Sequence, residues 1–333
     1  MQARSSIEER RRGIGGLGRR LLNVPELGVG VAIVVFFLLF TALNSSMAAP
    51  DNLVRILTLS SYIGIISLGM SLLMLAGEID LSVGYMAGLA AAVCAALVAQ
   101  VGWPEWASIL AACGVAILLA SLNSFMTLVV GMPSFFATMS TGFITYGFTW
   151  LITQGQWVSI LHKVPFLYSF TVPTPLFGLQ GSVLLFIGLA IVGDFLVRRS
   201  KLGPMLSATG GNRRAADVSG INTARVKMLC FMLVSLLAAV AGTLVMTTGT
   251  SSDVALGADW MLWVIAIAII GGASFSGGVG SVLGAFLGTI LITVIKLGLA
   301  AAHIQTNAQS IVVGLVLIAA SLIDVARRRV KKY

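Results

Sequence analysis

Eight stretches of this chain contain no Asp, Glu, Lys or Arg: 27–50, 56–77, 81–104, 106–162, 164–193, 228–252, 260–295 and 297–323. About 20 apolar residues in a helix cross a bilayer, and ionised side chains are rare at its centre. Only 10% of the 333 residues are charged and 58% are hydrophobic, where soluble domains carry about 25% charged residues. A soluble enzyme is excluded. The expected fold class is all-α, a polytopic transmembrane helical bundle.

Interrupted hydropathy, with Gly, Pro and charge as punctuation, divides the chain into about ten spans. They are 27–44, 56–76, 83–100, 107–129, 135–154, 181–197, 228–249, 260–272, 279–300 and 306–324. The net charge of +9 invites a nucleic-acid reading, but its sources argue otherwise. Of the 21 Lys and Arg, six lie in 1–26, seven in 198–227 and five in 327–332, all flanking apolar segments. Short-loop Lys and Arg gather on the cytoplasmic side. An even span count returns both ends to that side, so a basic N-terminal tail (1–26), the loop 198–227 and a basic C-terminal tail (325–333) are all expected in the cytoplasm, with the membrane domain over 27–324. The bilayer is the implied partner, and nucleic acid is not. The connections 45–55, 101–106, 155–180, 250–259 and 301–305 then face outward. The first span superficially resembles a signal peptide. Its leader contains Glu8, Glu9 and Glu26, and further spans follow, so an uncleaved helix is expected.

Two polar interruptions stand out in this apolar background. Gly77-Glu78-Ile79-Asp80-Leu81-Ser82-Val83-Gly84 and Gly271-Gly272-Ala273-Ser274-Phe275-Ser276-Gly277-Gly278 share a pattern of glycine, small polar residue, apolar residue, serine and glycine. Irregular backbone at membrane depth is tolerated only where protein buries it or where it lines a watery cavity. Such broken helices often mark a solute path, with Gly77, Asp80, Ser82 and Gly84, and Ser274, Ser276 and Gly278, as its lining. The alternative is two tight turns outside the membrane, with Asp80, Ser82 or Ser276 capping the next helix. Asp194 has Arg198 four residues on, an interfacial setting, and Lys296 lies one turn from the outer end of its span, where it can snorkel. Gly280, Gly284 and Gly288, spaced four apart, suit close helix packing.

The third feature is the basic loop. Gly210-Gly211 before Asn212 predicts a helix start and Gly220 a stop, giving a short helix over 213–219 with small Ala215 and Ala216. It reads either as an element that docks into a cleft of a soluble partner or as a solvated charged loop. Other signals fail on context. Gly13-Ile14-Gly15-Gly16-Leu17-Gly18 lies in an Arg-rich tail with no preceding strand, and no GxxxxGK[ST] motif occurs. His162 and His303 sit in outer loops without a metal-binding motif, and Cys94, Cys113 and Cys230 sit in apolar runs as small hydrophobes.

On these residues the chain resembles the ribose- and galactose-type sugar permeases of bacterial ABC importers, distant relatives of the branched-chain amino acid permeases. Their GxIDLSVG stretch is matched by Gly77–Gly84. A second motif is matched by Gly203, Ala208, Gly210, Gly211, Asn212, Ala215, Ala216, Ser219, Gly220 and Ile221. A third is matched by Gly271, Gly272, Ser274, Gly277, Gly278, Gly280 and Gly284. Glu78 stands where glycine is frequent, Ser124 follows Asn123 where many members have glycine, and the stretch at Tyr146-Gly147 lacks an arginine common among them.

The resemblance implies a permease subunit in the bacterial inner membrane that works as a pair, either two copies or one with a sister permease. A periplasmic binding protein would feed it a monosaccharide or polyol. A cytoplasmic ATP-binding subunit would energise it, with ATP and Mg held there and no cofactor or catalytic residue on this chain. The segment 203–221 would rest on that ATPase as the coupling element. Solute-path candidates add Asn123, and Thr138, Phe135 and Trp150 also carry suitable groups. The rival readings are another small polar solute, such as an amino acid or a furanosyl signalling molecule, and a lone ion-coupled carrier using Asp80, Glu78 or Lys296.

Overall fold

A computed structural model describes residues 25–174, 178–253 and 255–305, together with positions 311, 312, 314, 315 and 318. Its helices are α1 (Pro25–Leu43), α2 (Pro50–Leu75), α3 (Val83–Ala96, continued by a π-helical turn over Leu97–Val101), α4 (Glu105–Leu128), α5 (Ser134–Thr153), α6 (Pro165–Ser169), α7 (Gly181–Arg199), α8 (Leu202–Gly211), α9 (Arg213–Val218), α10 (Thr223–Thr248), α11 (Trp260–Ile270) and α12 (Val282–Ala301). A two-residue pair, β1 (Val158–Ser159) and β2 (Ser251–Ser252), is the only sheet among the described residues.

Seven helices are long and apolar enough to cross a membrane: α1, α2, α3 with its extension, α4, α7, α10 and α12. Helix α5 also has 20 residues and carries a buried row of threonines, and α11, at 11 residues, is too short to cross alone. The expected span 306–324 and both basic tails lie outside the described residues, Pro25, Glu26 and five positions of that span excepted.

The helices start where local chemistry lets them. Pro50 occupies the first turn of α2, where its missing N–H costs nothing. The Ser281 Oγ accepts the Gly284 N–H at 3.0 Å and starts α12, and Asn222 Oδ1 accepts the Arg225 N–H at 2.9 Å to start α10. The cap of α12 is therefore Ser281, five residues beyond the Ser276 considered from sequence.

Helices α2, α3 and α10 form the centre, where Ile65, Met70, Leu73, Met86, Phe231 and Val234 are buried. Helix α1 packs on α12 through Val29, Phe40, Leu291 and Ile295, and leaves Leu38 and Leu43 outward. In α12 the backbone of Gly284 lies so close to Gly271 that a Cβ at 284 would sit within 2 Å of the Gly271 carbonyl oxygen.

The bundle has two ends. At one, Arg198 bridges Glu26 at 3.1 Å and Asp194 at 2.9 Å, and Ser281 Oγ donates to Glu26 at 2.7 Å, gathering the starts of α1 and α12 with the end of α7. At the other, Asn44 Nδ2 donates to Ala301 O at 3.1 Å, Val158 pairs with Ser252, and Glu105 accepts the backbone N–H groups of Phe166 and Leu167 at 2.9 and 2.7 Å. The connections expected on one side from sequence thus meet at one end. Lys296 on α12 holds its ammonium 4.5 Å from the centre of the Trp263 ring, a cation–π contact.

One connection departs from a simple outer loop. Lys227, at the start of α10, pairs with Glu78, and Gly242 further along α10 abuts Ala87 on α3, so these two helices run parallel. Thr248 is therefore about 9 Å beyond the level of Ala87. Yet Leu256 lies against Gly88, and Gly257 against Gly84. The chain after β2 turns back along α3, and α11 begins beside the first turn of α3.

Candidate functional site

The three motifs singled out from sequence meet at one place. Gly77 and Gly278 both have left-handed backbones, φ 86° and 76°, which L side chains rarely adopt. A Cβ at Gly277 would lie 2.6 Å from the Cα of Gly77 and 2.7 Å from the carbonyl oxygen of Gly210. One at Gly210 would lie 2.1 Å from Leu75 O and 2.5 Å from Gly278 N. Two hydrogen bonds fasten the junction: Gly278 N–H to Leu75 O at 3.0 Å, and Ser207 Oγ–H to Gly278 O at 2.6 Å. Backbone therefore touches backbone where the basic segment, through α8, meets both glycine turns.

Beyond the first turn the backbone of 79–82 leads into α3 through a buried polar network. Asp80 Oδ1 accepts from Ser82 N at 2.7 Å and from Ser82 Oγ at 2.5 Å. Asn123 Nδ2 of α4 reaches Asp80 Oδ2 at 3.3 Å and Ser82 Oγ at 3.1 Å, and Thr141 of α5 donates to Asn123 Oδ1 at 2.5 Å. Thr138 Oγ1 accepts the Leu81 N–H at 2.9 Å. All five side chains are buried. Buried polar groups are costly unless paired, and each of these has its partner. Asp80 fixes the turn, and the network around it joins the start of α3 to α4 and α5.

The basic segment forms two short helices. Asn212 Oδ1 accepts the Ala215 N–H at 3.0 Å and starts α9, and Gly220, at φ 84°, follows its end. Ala216 is buried while Ala215 and Val218 are exposed, so α9 presents the Ala215 side outward. The Asp217 carboxyl accepts from Thr223 Oγ1 at 2.7 Å, which holds its pKa below the usual carboxylate range, with Arg213 and Lys227 contributing. Lys227 Nζ donates to Glu78 Oε1 at 2.5 Å, both side chains largely buried, and ties the end of the segment to the first glycine turn.

Residues 52–321 match the family model described as branched-chain amino acid transport system / permease component. The chain belongs to this permease family. Among curated relatives, it is 31% identical over 316 residues to a probable ABC transporter permease of Escherichia coli K12, YphD, covering 91% of this chain and 90% of that one. It is 30% identical over 307 residues to the ribose import permease protein RbsC of Bacillus subtilis, covering 90% and 93%. It is 27% identical over 374 residues to the xylose transport system permease protein XylH of E. coli K12, covering 95% of each. With its apolar helices, the chain is a multi-pass inner-membrane permease and not a catalytic subunit.

The remaining candidates of the permease are dispersed. Gly203 is buried, its Cβ position 1.9 Å from Val197 O, and sets the close turn between α7 and α8. Gly211, Asn212, Ser219 and Gly220 are exposed, and Ala208 is half-buried. Gly84 faces Gly257, Ser274 is buried and Ser276 is exposed on the second turn. Phe135 and Trp150 face outward from α5, away from Asn123 and Thr138. The three charges proposed for an ion-coupled carrier each have a partner: Asp80 with Ser82 and Asn123, Glu78 with Lys227, Lys296 with Trp263.

Sequence reasoning missed Ser207, Thr141, Lys227 and Gly257. A spacing signal existed for Thr141, which belongs to a buried threonine stripe (138, 141, 145, 149 and 153) on one face of α5. For the others no local pattern exists, because their roles depend on segments distant in the chain.

Proposed function

We propose that this permease translocates a monosaccharide of pentose or hexose type, or a related polyol, inward across the bacterial inner membrane. It works as a pair, alone or with a sister permease. A periplasmic binding protein delivers the solute, and a cytoplasmic subunit supplies the work by binding and hydrolysing ATP with Mg. The names of the ribose and xylose relatives support the solute class.

The observation that carries the reading is the junction of Gly77, Gly210 and Gly277. Segment 203–221 rests on the ATPase, and α8 is in backbone contact with both turns that shape the solute path. A displacement of α8 has no soft side chains at this contact to absorb it. The turns containing Gly77, Asp80, Ser82 and Gly84 and containing Ser274, Ser276 and Gly278 respond, and Asn123 braces the first. ATPase closure then biases the pair between two states. In this reading there are ten passes with both termini in the cytoplasm. The alternating direction of the described helices and the basic flanks support it.

Ala215 provides the test, because it is exposed on α9 whereas Ala216 is buried. Ala215→Arg should leave the permease folded and abolish sugar uptake in proteoliposomes containing ATPase, binding protein and ATP, with hydrolysis no longer stimulated by sugar-loaded binding protein. Undiminished uptake would show that α9 is not the docking element. Uptake by the permease alone, driven by an ion gradient, would refute the importer.

A further inference from the structure

The groups proposed from sequence to face the solute, Asn123 and Thr138, are buried and already hydrogen-bonded within the protein. A different surface lies beside them. Helix α3 begins among buried residues, and the start of α11 touches it: the Cβ position of Gly84 is 2.2 Å from Gly257 O and 3.1 Å from Met261 N. Irregular backbone leads to each, over 77–82 and 255–259, and at membrane depth such backbone is buried in protein or borders water.

Residues 80–82 are buried, whereas Asp253, Ala255 and Asp259 are exposed. Tyr85, in the first turn of α3, is only half-buried. Its ring lies over Gly142, whose Cβ position is 3.1 Å from it, and meets Phe143 and Tyr146 with ring centres 6.4 and 5.6 Å apart. Phe143 and Tyr146 are 62% and 41% exposed. Neither tyrosine hydroxyl has a hydrogen-bond partner among the described residues. In hydrocarbon such hydroxyls would be left unsatisfied at a cost.

We propose that the rings of Tyr85, Phe143 and Tyr146 form a sugar-contact surface where the two broken helices meet, facing the water-filled path and not lipid. The inference rests on the transport reading above and names the groups that touch the solute. Aromatic faces accept the C–H faces of a sugar ring, and the two free hydroxyls pair with its hydroxyls, the mix of apolar walls and few polar groups that ligand sites use.

Cysteine accessibility in the assembled transporter tests this directly. Cys94, Cys113 and Cys230 are replaced by alanine, and Tyr146→Cys is compared with Ile191→Cys on the outward face of α7. Tyr146→Cys should react with a charged, water-soluble methanethiosulfonate and be protected by D-ribose or D-xylose, whichever the wild type imports, while Ile191→Cys reacts only with a lipid-soluble maleimide. In uptake assays Tyr85→Ala should lower transport roughly three- to tenfold, the effect expected for losing one ring face, at unchanged melting temperature. Labelling of Tyr146→Cys by the lipid-soluble reagent alone, or wild-type uptake by Tyr85→Ala, would overturn the proposal. Failure of the wild type to import either sugar with ATP is a separate result. It removes the transport reading, whereas the charged reagent still reports whether the surface meets water.

Discussion

The junction of the three motifs predicts that two adjacent glycines differ sharply in what they tolerate. At Gly210 an added methyl would sit 2.1 Å from Leu75 O, 2.5 Å from Gly278 N and 3.0 Å from the carbonyl carbon of Ala76. Non-bonded heavy atoms rest about 3.5 Å apart, so α8 must retreat by about 1 Å. All three neighbours are backbone atoms, and no rotamer change relieves the clash. Retreat also breaks the 2.6 Å bond from Ser207 to Gly278 O, worth about 1 kcal/mol, and forced overpacking costs about 1–3 kcal/mol. Gly210→Ala should therefore destabilise the permease by about 2–4 kcal/mol. At Gly211 the nearest atom to an added methyl is 3.9 Å away, and alanine is the better helix former by about 1 kcal/mol. Gly211→Ala should be neutral or mildly stabilising. The assay is thermal unfolding of the detergent-solubilised proteins, paired with ATP-driven uptake in proteoliposomes. Equal melting temperatures and equal uptake for the two variants would refute the claim that α8 is in rigid contact with both turns.

The Glu78–Lys227 pair should behave as a coupled unit. Glu78→Gln or Lys227→Met leaves one charge largely buried without its partner and should cost about 3 kcal/mol. The double variant should cost less than the sum of the two, and additive losses in the same melting assay would mean the contact is energetically idle. Asn123→Ala removes the donor shared by Asp80 and Ser82 and one of the acceptors of the Thr141 hydroxyl, which keeps Thr138 O and Ala137 O. A loss of about 1–3 kcal/mol in stability is expected, with the ranking of competing sugars in uptake assays unchanged. A reversed ranking would place Asn123 in contact with solute and not in the scaffold.

Helix existence was legible in the sequence because a single physical demand, backbone satisfaction in hydrocarbon, writes long uncharged runs. Asn212 and Gly220 were legible for a similarly local reason, since a cap and a left-handed stop act within one turn. What could not be read was depth. The run 250–259 is short and polar and reads as an outer loop, yet Gly257 comes to rest against Gly84. The turn at Gly77 reads equally as a surface cap, yet its Asp80 is buried and hydrogen-bonded to Asn123, 43 positions away on α4. Periodicity reports which residues are helical, whereas depth depends on which distant segment supplies the partners. The same limit hid Ser207 and Lys227. Each has an ordinary sequence setting, and each acquires its role from a residue more than 70 positions away.

The two kinds of contact around the glycine turns divide the mechanical work. Glycine backbones in contact are stiff, since interiors packed to this closeness have no free volume to take up a shift. The Asp80, Asn123 and Thr141 network is directional, because each hydrogen bond holds only near its own geometry. If α8 moves, the stiff contact carries the motion to the turn, and the network decides which way the start of α3 can tilt. Tyr85, in the first turn of α3 and outside the network, then moves with the helix start against the rings of α5. A spin label or fluorophore pair spanning α3 and α5 should therefore change separation between the ATP-bound and nucleotide-free transporter in the wild type. The change should be lost in Gly210→Ala, where the contact that drives it has been pushed open. An unaltered change in that variant would mean that the ATPase acts on α3 by a route that bypasses α8.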